Sequence, residues 1–144
     1  MRPGALEVIR GLVYSLLHIH ERRFELRSSL PGKRDTRLSL QRELESTINY
    51  INQHYRETLT VEMLTAISNM SKSNLQRKMI ALTGYPPLGY VRMLRLRYAC
   101  ALLLDEKLSV AAIADEVGYS LSSFNRQFRK EFHMSPTAWL KAQH

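Results

Sequence analysis

The chain has 144 residues, of which 44% are hydrophobic and 24% charged, and its formal net charge is +8. This composition is ordinary for a globular protein, and no apolar run approaches the roughly 20 residues that span a bilayer. The excess of Lys and Arg favours an anionic partner, with nucleic acid ahead of a membrane surface.

An apolar stripe opens the chain over residues 5–27, and its spacing predicts an amphipathic helix. Charged residues interrupt the stripe and no small-residue cleavage site follows, which argues against a signal peptide. Pro31 and Gly32 end the segment, and residues 33–37 are expected to form a polar linker. We therefore assign residues 1–38 to an N-terminal helix and linker. The stripe is either a dimerisation element, a surface that packs back on the rest of the chain, or an exposed fragment.

A second helix is expected from about Ser39 to Tyr55, and the same pattern then occurs twice, 49 positions apart. The first copy is carried by Leu59, Thr60, Leu64, Asn69, Met70, Ser71, Ser73, Leu75, Arg77, Met79, Pro87 and Tyr90. The second is carried by Leu108, Ser109, Ile113, Gly118, Tyr119, Ser120, Ser122, Phe124, Arg126, Phe128, Pro136 and Trp139. A repeat of this length, present in two copies, indicates one helical unit used twice.

Each copy predicts a short helix, a tight turn and a second helix, which is the helix-turn-helix arrangement. Thr60 and Ser109 are suited to cap the first helices, and Ser71 and Ser120 to cap the second ones. The turns contain Asn69 and Gly118, residues that accept a left-handed backbone. We place the first motif at about residues 60–82 and the second at about 109–132. A linking helix at about 87–104 begins at a proline and would be ~25 Å long. The predicted fold is all-α.

The second helix of each motif has the composition of a DNA-reading helix. Leu75 and Met79, like Phe124 and Phe128, are expected in the core, and neither helix has an acidic residue before Glu131. Arg pairs with guanine and Asn or Gln with adenine, whereas Ser and Lys more often hold phosphates. The candidate DNA-binding residues are Ser71, Lys72, Ser73, Asn74, Gln76, Arg77 and Lys78 in the first motif, Arg92 and Arg95 on the linking helix, and Ser120, Ser122, Ser123, Asn125, Arg126, Arg129 and Lys130 in the second motif.

Three segments resemble the C-terminal signature of the AraC/XylS family of bacterial transcriptional regulators. They are Ile113-Ala114-Asp115-Glu116-Val117-Gly118-Tyr119, Ser123-Phe124-Asn125-Arg126-Gln127-Phe128-Arg129-Lys130 and Ser135-Pro136, and Arg95-Leu96-Arg97-Tyr98-Ala99 resembles the family's linking helix. The resemblance covers about residues 40–140. The sequence departs from the family pattern at Thr65 and Ser68, where small or apolar core residues are usual, and at His133, where glycine is common. The second motif also has one residue fewer than many family members before its first core aromatic.

The resemblance implies that residues 39–144 form a DNA-binding domain of seven helices with two homeodomain-like units. Its two recognition helices would enter adjacent major-groove segments about one turn, ~34 Å, apart. The bases would face Ser73, Gln76 and Arg77 in the first motif and Ser122, Asn125 and Arg126 in the second. Phosphates would face Lys72, Lys78, Arg129, Lys130 and the linking-helix arginines. Family members of typical length also carry an N-terminal effector domain, for which the residues before the motifs are too few. Residues 1–38 look like the terminal helices of such a domain, a remnant of it, or else the start of a small stand-alone regulator.

The candidate functions belong to three classes: a sequence-specific transcription factor, a regulator that contacts other transcription factors without reading DNA, and an enzyme. The enzyme class is excluded because no catalytic triad, phosphate loop or paired carboxylate site can be placed. No cofactor or metal is expected, since the five histidines are scattered and the single cysteine, Cys100, is expected to be buried. The expected partner is double-stranded DNA in the bacterial cytoplasm, at the nucleoid. RNA polymerase and a homodimer through residues 5–27 are further candidates, and a membrane is not.

Overall fold

The computed structural model describes residues 33–105 and 107–143, with side chains from Thr36 onward. This part of the chain contains seven α-helices and no strand, which confirms the all-α class. The helices are α1 Lys33–His54, α2 Val61–Ser68, α3 Lys72–Thr83, α4 Pro87–Leu104, α5 Val110–Glu116, α6 Leu121–Phe132 and α7 Pro136–Ala142. The amphipathic helix predicted over residues 5–27 lies outside the described residues. None of the seven helices is long and apolar enough to cross a membrane.

The prediction of a polar linker over residues 33–37 is wrong, because α1 already begins at Lys33. The segment is polar, but three of its five residues, Lys33, Arg34 and Arg37, have high helix propensity. The helix-breaking pair Pro31-Gly32 stands immediately before Lys33, and neither residue type recurs before His54. The polar run is therefore the first part of a 22-residue helix. The assignment of residues 1–38 and 39–144 to separate domains stays a prediction.

The described residues form two compact units that divide between Met93 and Leu94, within α4. In the first unit, α1 packs against α2 and α3, and α2 packs against α3. The fully buried side chains of this unit are Leu44, Thr47, Ile51, Leu64, Leu75 and Met79. The first unit therefore has an aliphatic core around its helix-turn-helix motif.

The second unit has an aromatic core. Phe124 and Phe128 of α6 are 0% exposed, and their ring centroids lie 5.6 Å apart. Phe132 lies 4.5 Å from Phe128, and Trp139 of α7 meets Phe128 edge-on at 6.1 Å. These tilted and edge-on arrangements are the ones that aromatic pairs favour. Cys100 is buried within the same core, as the sequence predicts.

The 49-residue offset extends to the helix before each motif. The buried residues Leu44, Thr47 and Ile51 of α1 correspond in this offset to Met93, Leu96 and Cys100 of α4, which are also buried. The repeated element is thus a set of three helices rather than two. It also places Thr47, a buried polar residue, at a position that the second copy fills with leucine.

Candidate nucleic-acid interface

The turn of the first motif is closed by side-chain caps. Thr60 Oγ1 accepts a hydrogen bond from the Met63 N–H at 3.2 Å, and Ser71 Oγ accepts one from the Asn74 N–H at 3.2 Å. Between them Asn69 has φ 54°, the left-handed conformation that lets the chain reverse between α2 and α3. These contacts confirm the predicted N-caps and fix where the recognition helix α3 begins.

The second motif repeats these contacts. Ser109 Oγ accepts from the Ala112 N–H at 3.1 Å, Ser120 Oγ accepts from the Ser123 N–H at 3.2 Å, and Gly118 has φ 86°. Both recognition helices contain 12 residues and begin one residue after their serine cap. The shorter spacing of the second motif therefore leaves α6 with the same length and start as α3.

The outward face of α3 carries Ser73, Gln76 and Arg77, which are exposed and line a shallow depression together with Ile80. Ile80 is 44% exposed and is not among the residues predicted from the sequence. Its position in the sequence could have indicated its exposure, because Ile80 follows Gln76 by four residues and therefore lies on the same face of the helix. Asn74 is half-buried, and its Oδ1 accepts a hydrogen bond from Arg77 Nη2 at 2.8 Å. This bond gives the Arg77 guanidinium a defined position on the helix surface.

Lys78 does not share that outward face. Its ammonium donates a hydrogen bond to Glu43 of α1 and forms an ion pair with it, and its side chain is 22% exposed. Lys72, at the first position of α3, is exposed. The two lysines, both predicted from the sequence to contact phosphates, thus lie in different environments.

The outward face of α6 is more basic than that of α3. Ser122, Arg126, Arg129 and Lys130 are exposed, whereas Ser123 and Asn125 are half-buried. Leu121, the first residue of the helix, is 45% exposed. Glu131 is the one acidic residue of α6, and it stands one residue before the helix ends. The exposed positions before Glu131 therefore present hydroxyl, guanidinium and ammonium groups, which suit an anionic ligand.

Two arginines of α4 were predicted to contact phosphates, and both are half-buried. Arg95 Nη1 donates to the Gly118 carbonyl at 3.3 Å, and its guanidinium lies 4.8 Å from the centroid of the Tyr119 ring. Arg95 therefore holds the turn between α5 and α6 through a hydrogen bond and a cation–π contact. Sequence reasoning missed this role because charge alone does not show which way a side chain points.

The described residues contain no group of three or more His, Cys, Asp or Glu side chains placed to hold a metal ion. Burial raises the pKa of the Cys100 thiol to about 12, and the nearby charge of Arg97 offsets only part of that effect. A thiol with such a pKa stays protonated at neutral pH and is a poor nucleophile. Cys100 is therefore a core residue.

Known proteins are similar to this chain over the region of the two motifs. The profile described as a helix-turn-helix domain matches residues 64–142. The chain is 35% identical over 98 residues to the MmsAB operon regulatory protein of Pseudomonas aeruginosa, covering 67% of this chain and 32% of that protein. It therefore spans less than a third of that relative's length. It is 31% identical over 101 residues to regulatory protein SoxS of Salmonella typhimurium, covering 69% of this chain and 94% of SoxS.

A solved structure shares the fold and was determined with its ligand. The DNA-binding domain of AdpA, a global transcriptional factor, in complex with a target DNA, matches with a TM-score of 0.63 and 30% identity. The match covers 69% of this chain and 90% of that domain.

Proposed function

The chain belongs to the AraC/XylS family of helix-turn-helix transcriptional regulators, which are DNA-binding proteins and not enzymes, and from this premise we propose that it is itself a sequence-specific regulator of transcription. Its two recognition helices, α3 and α6, insert into adjacent segments of the DNA major groove. The observation that carries this proposal is the equivalence of the two motifs. Each has the same caps, the same left-handed turn and a 12-residue helix with polar and basic groups on its outward face.

Bases are read by the exposed side chains of the two outward faces. In α3 these are Ser73, Gln76 and Arg77, and in α6 they are Ser122 and Arg126 with the half-buried Asn125 beside them. Arg pairs with the O6 and N7 atoms of guanine and Gln or Asn with the N6 and N7 atoms of adenine, each worth ~1–3 kcal/mol of discrimination. The two arginines, one in each motif, are the residues most suited to such bidentate pairing.

Phosphates are held by the starts of the recognition helices and by exposed basic residues elsewhere on them. Lys72, Arg129 and Lys130 are exposed, and the serine caps keep a hydroxyl hydrogen that can be donated to a phosphate oxygen. The N-terminal ends of the helices add the partial positive charge of the helix dipole. We assign Arg92 to the same group and assign Arg95 to the turn that it contacts.

A sequence-selection experiment on random duplex DNA at about 150 mM salt tests the proposal. We expect two enriched blocks about one helical turn apart, because one chain presents two reading helices. Arg77→Ala should remove the preference at one base position of one block, and Arg126→Ala the same in the other block. Arg42→Ala is the control, because it removes an exposed arginine from α1 without altering either reading face.

A single enriched block would show that one motif alone reads sequence. Salt-sensitive binding without any enrichment would contradict the proposal and favour the alternative, a regulator that contacts other transcription factors. Contact with RNA polymerase and a homodimer through residues 5–27 stay predictions. Sedimentation of the full chain and of a chain lacking residues 5–27 tests the homodimer.

A further inference from the structure

The ion pair between Glu43 and Lys78 connects the recognition helix of the first motif to the helix that precedes the motif. The two residues are 35 positions apart in the chain, and α1 packs directly on α3. Lys78 follows Leu75 by three residues and precedes Leu82 by four, and both leucines are buried. Residues at this spacing share one side of a helix, so Lys78 lies on the side of α3 that faces the protein.

Glu43 is equipped to hold the lysine. It is adjacent to Leu44, which is fully buried, and its Oε1 accepts a hydrogen bond from Ser39 Oγ at 3.3 Å. The hydrogen bond and charge of Lys78 lower the pKa of the Glu43 carboxyl below its ordinary value. A carboxyl with a lowered pKa is ionised throughout the neutral range, so the pair is present under the conditions in which DNA is bound.

The second motif supports an inward role for this position. The 49-residue offset aligns Lys78 with Gln127, which is half-buried, and the Gln127 Oε1 atom is shielded from solvent. The same offset aligns Glu43 with Arg92, so the two copies differ in charge at both positions. A position that is turned inward in both motifs is poorly placed for a phosphate contact.

We propose that Glu43 and Lys78 form an anchor that sets the orientation of α3 on α1, and that both are positioning residues for the DNA contacts of the first motif. The inference rests on the proposed function, and it involves Glu43, a residue that precedes the first helix-turn-helix motif. Glu43 lies outside residues 64–142, the part that matches the family profile. It follows that α1 belongs to the first DNA-reading unit, and that a change at Glu43 alters how α3 reads its bases.

Salt dependence distinguishes an anchor from a phosphate contact. Removal of a lysine that neutralises a phosphate reduces the slope of log K against log salt by about 0.9, because one counterion fewer is released. Removal of an anchor leaves the number of neutralised phosphates unchanged and weakens base reading instead. The ratio of specific to general DNA affinity at one salt concentration measures base reading, since a change in overall charge affects both affinities alike.

The test compares Glu43→Gln, Lys78→Gln and the reversed pair Glu43→Lys with Lys78→Glu in the full chain. We expect each single change to lower the specificity ratio by about two- to five-fold, the range typical of a partly exposed ion pair, with the salt slope unchanged. The reversed pair should recover most of the ratio, because it restores attraction at the same place. The loss of base preference should be confined to the block that the first motif reads. Lys72→Gln is the comparison: it removes an exposed lysine of α3 and should reduce the salt slope.

Two results would overturn the anchor. One is a lower salt slope for Lys78→Gln together with an unaltered or higher affinity for Glu43→Gln, which identifies Lys78 as a phosphate contact. The other is a specificity ratio that stays unchanged in both single variants. If the unaltered chain has no sequence preference at all, the proposed function has failed. If it has a preference that Arg126→Ala reduces in the second block, the proposed function holds whatever the Glu43 and Lys78 variants show.

Discussion

Thr47 has a buried hydroxyl group, and its replacement by valine should increase the stability of the folded protein. The residue is 0% exposed, and its Oγ1 atom has no hydrogen-bond partner among the described residues. A buried polar group without a partner costs ~1–3 kcal/mol. Valine has nearly the same shape, the same branching at Cβ and a similar helix propensity. We therefore expect Thr47→Val to raise the free energy of unfolding by ~1 kcal/mol or more.

Thr83 provides a matched control in the same unit. Its Oγ1 donates to the Met79 carbonyl at 2.7 Å and accepts from the Tyr85 N–H at 3.1 Å. Thr83→Val removes both bonds and leaves a backbone N–H without this acceptor, so it should lower stability by ~1 kcal/mol. The same chemical change is thus expected to have opposite signs at two threonines.

Urea unfolding of the full chain measures both variants. Circular dichroism reports helices throughout the protein, whereas fluorescence of Trp139, the single tryptophan, reports the second unit. At a slope of about 2 kcal/mol per molar urea, a change of 1 kcal/mol moves the midpoint by about 0.5 M. The reasoning is refuted if both variants shift the midpoint in the same direction, or if Thr47→Val lowers it.

Three further results are expected. Ile80→Ala should lose affinity for DNA with thymine at one selected position but not for the same DNA with uracil there. The reason is that an exposed aliphatic side chain on the reading face contacts the thymine methyl, and equal losses on both DNAs would contradict this. Arg95→Lys should weaken specific binding at the second block with an unchanged salt slope, since lysine keeps the charge but not the planar contact with Tyr119; a reduced slope would instead identify a phosphate contact. Phe128→Ala should lower the free energy of unfolding by ~3–5 kcal/mol, measured in a transition detected by Trp139 fluorescence. Phe128→Leu is the milder control, and a change under ~1 kcal/mol for Phe128→Ala would argue against an aromatic core.

Much of the fold follows from signals that act within a few residues of the chain. A serine or threonine cap accepts a hydrogen bond from a backbone N–H three residues later. Asn69 and Gly118 have the left-handed backbone conformation that asparagine and glycine tolerate. Helix α4 spans Pro87–Leu104, the same residues as the predicted linking helix, because Pro87 marks its start. His133, at a position where the family usually has glycine, has φ 62° and so fills the left-handed role of that glycine.

The orientation of polar side chains was harder to predict, because it depends on partners far along the chain. Lys78 was grouped with the outward residues on the basis of its charge, and only the packing of α1 shows that it meets Glu43. Arg95 is likewise directed by Tyr119, 24 residues later. Ile80 was overlooked for the converse reason, since an apolar residue in a helix is expected in the core. Periodicity identifies the faces of a helix, but a long cationic side chain at the edge of a face can turn either way.

The two motifs share their caps and turns but differ at the outward positions of their recognition helices. The caps and turns recur because both recognition helices have to begin at the same point of the motif. The 49-residue offset aligns Ile80 with Arg129 and Ala81 with Lys130, so the end of α6 carries two exposed cations where α3 carries none. Cations at the phosphate backbone give affinity without sequence information, and an exposed aliphatic group gives discrimination without charge. We therefore expect the second motif to contribute more of the salt-dependent affinity, so that Arg129→Ala reduces the salt slope while Ile80→Ala leaves it unchanged.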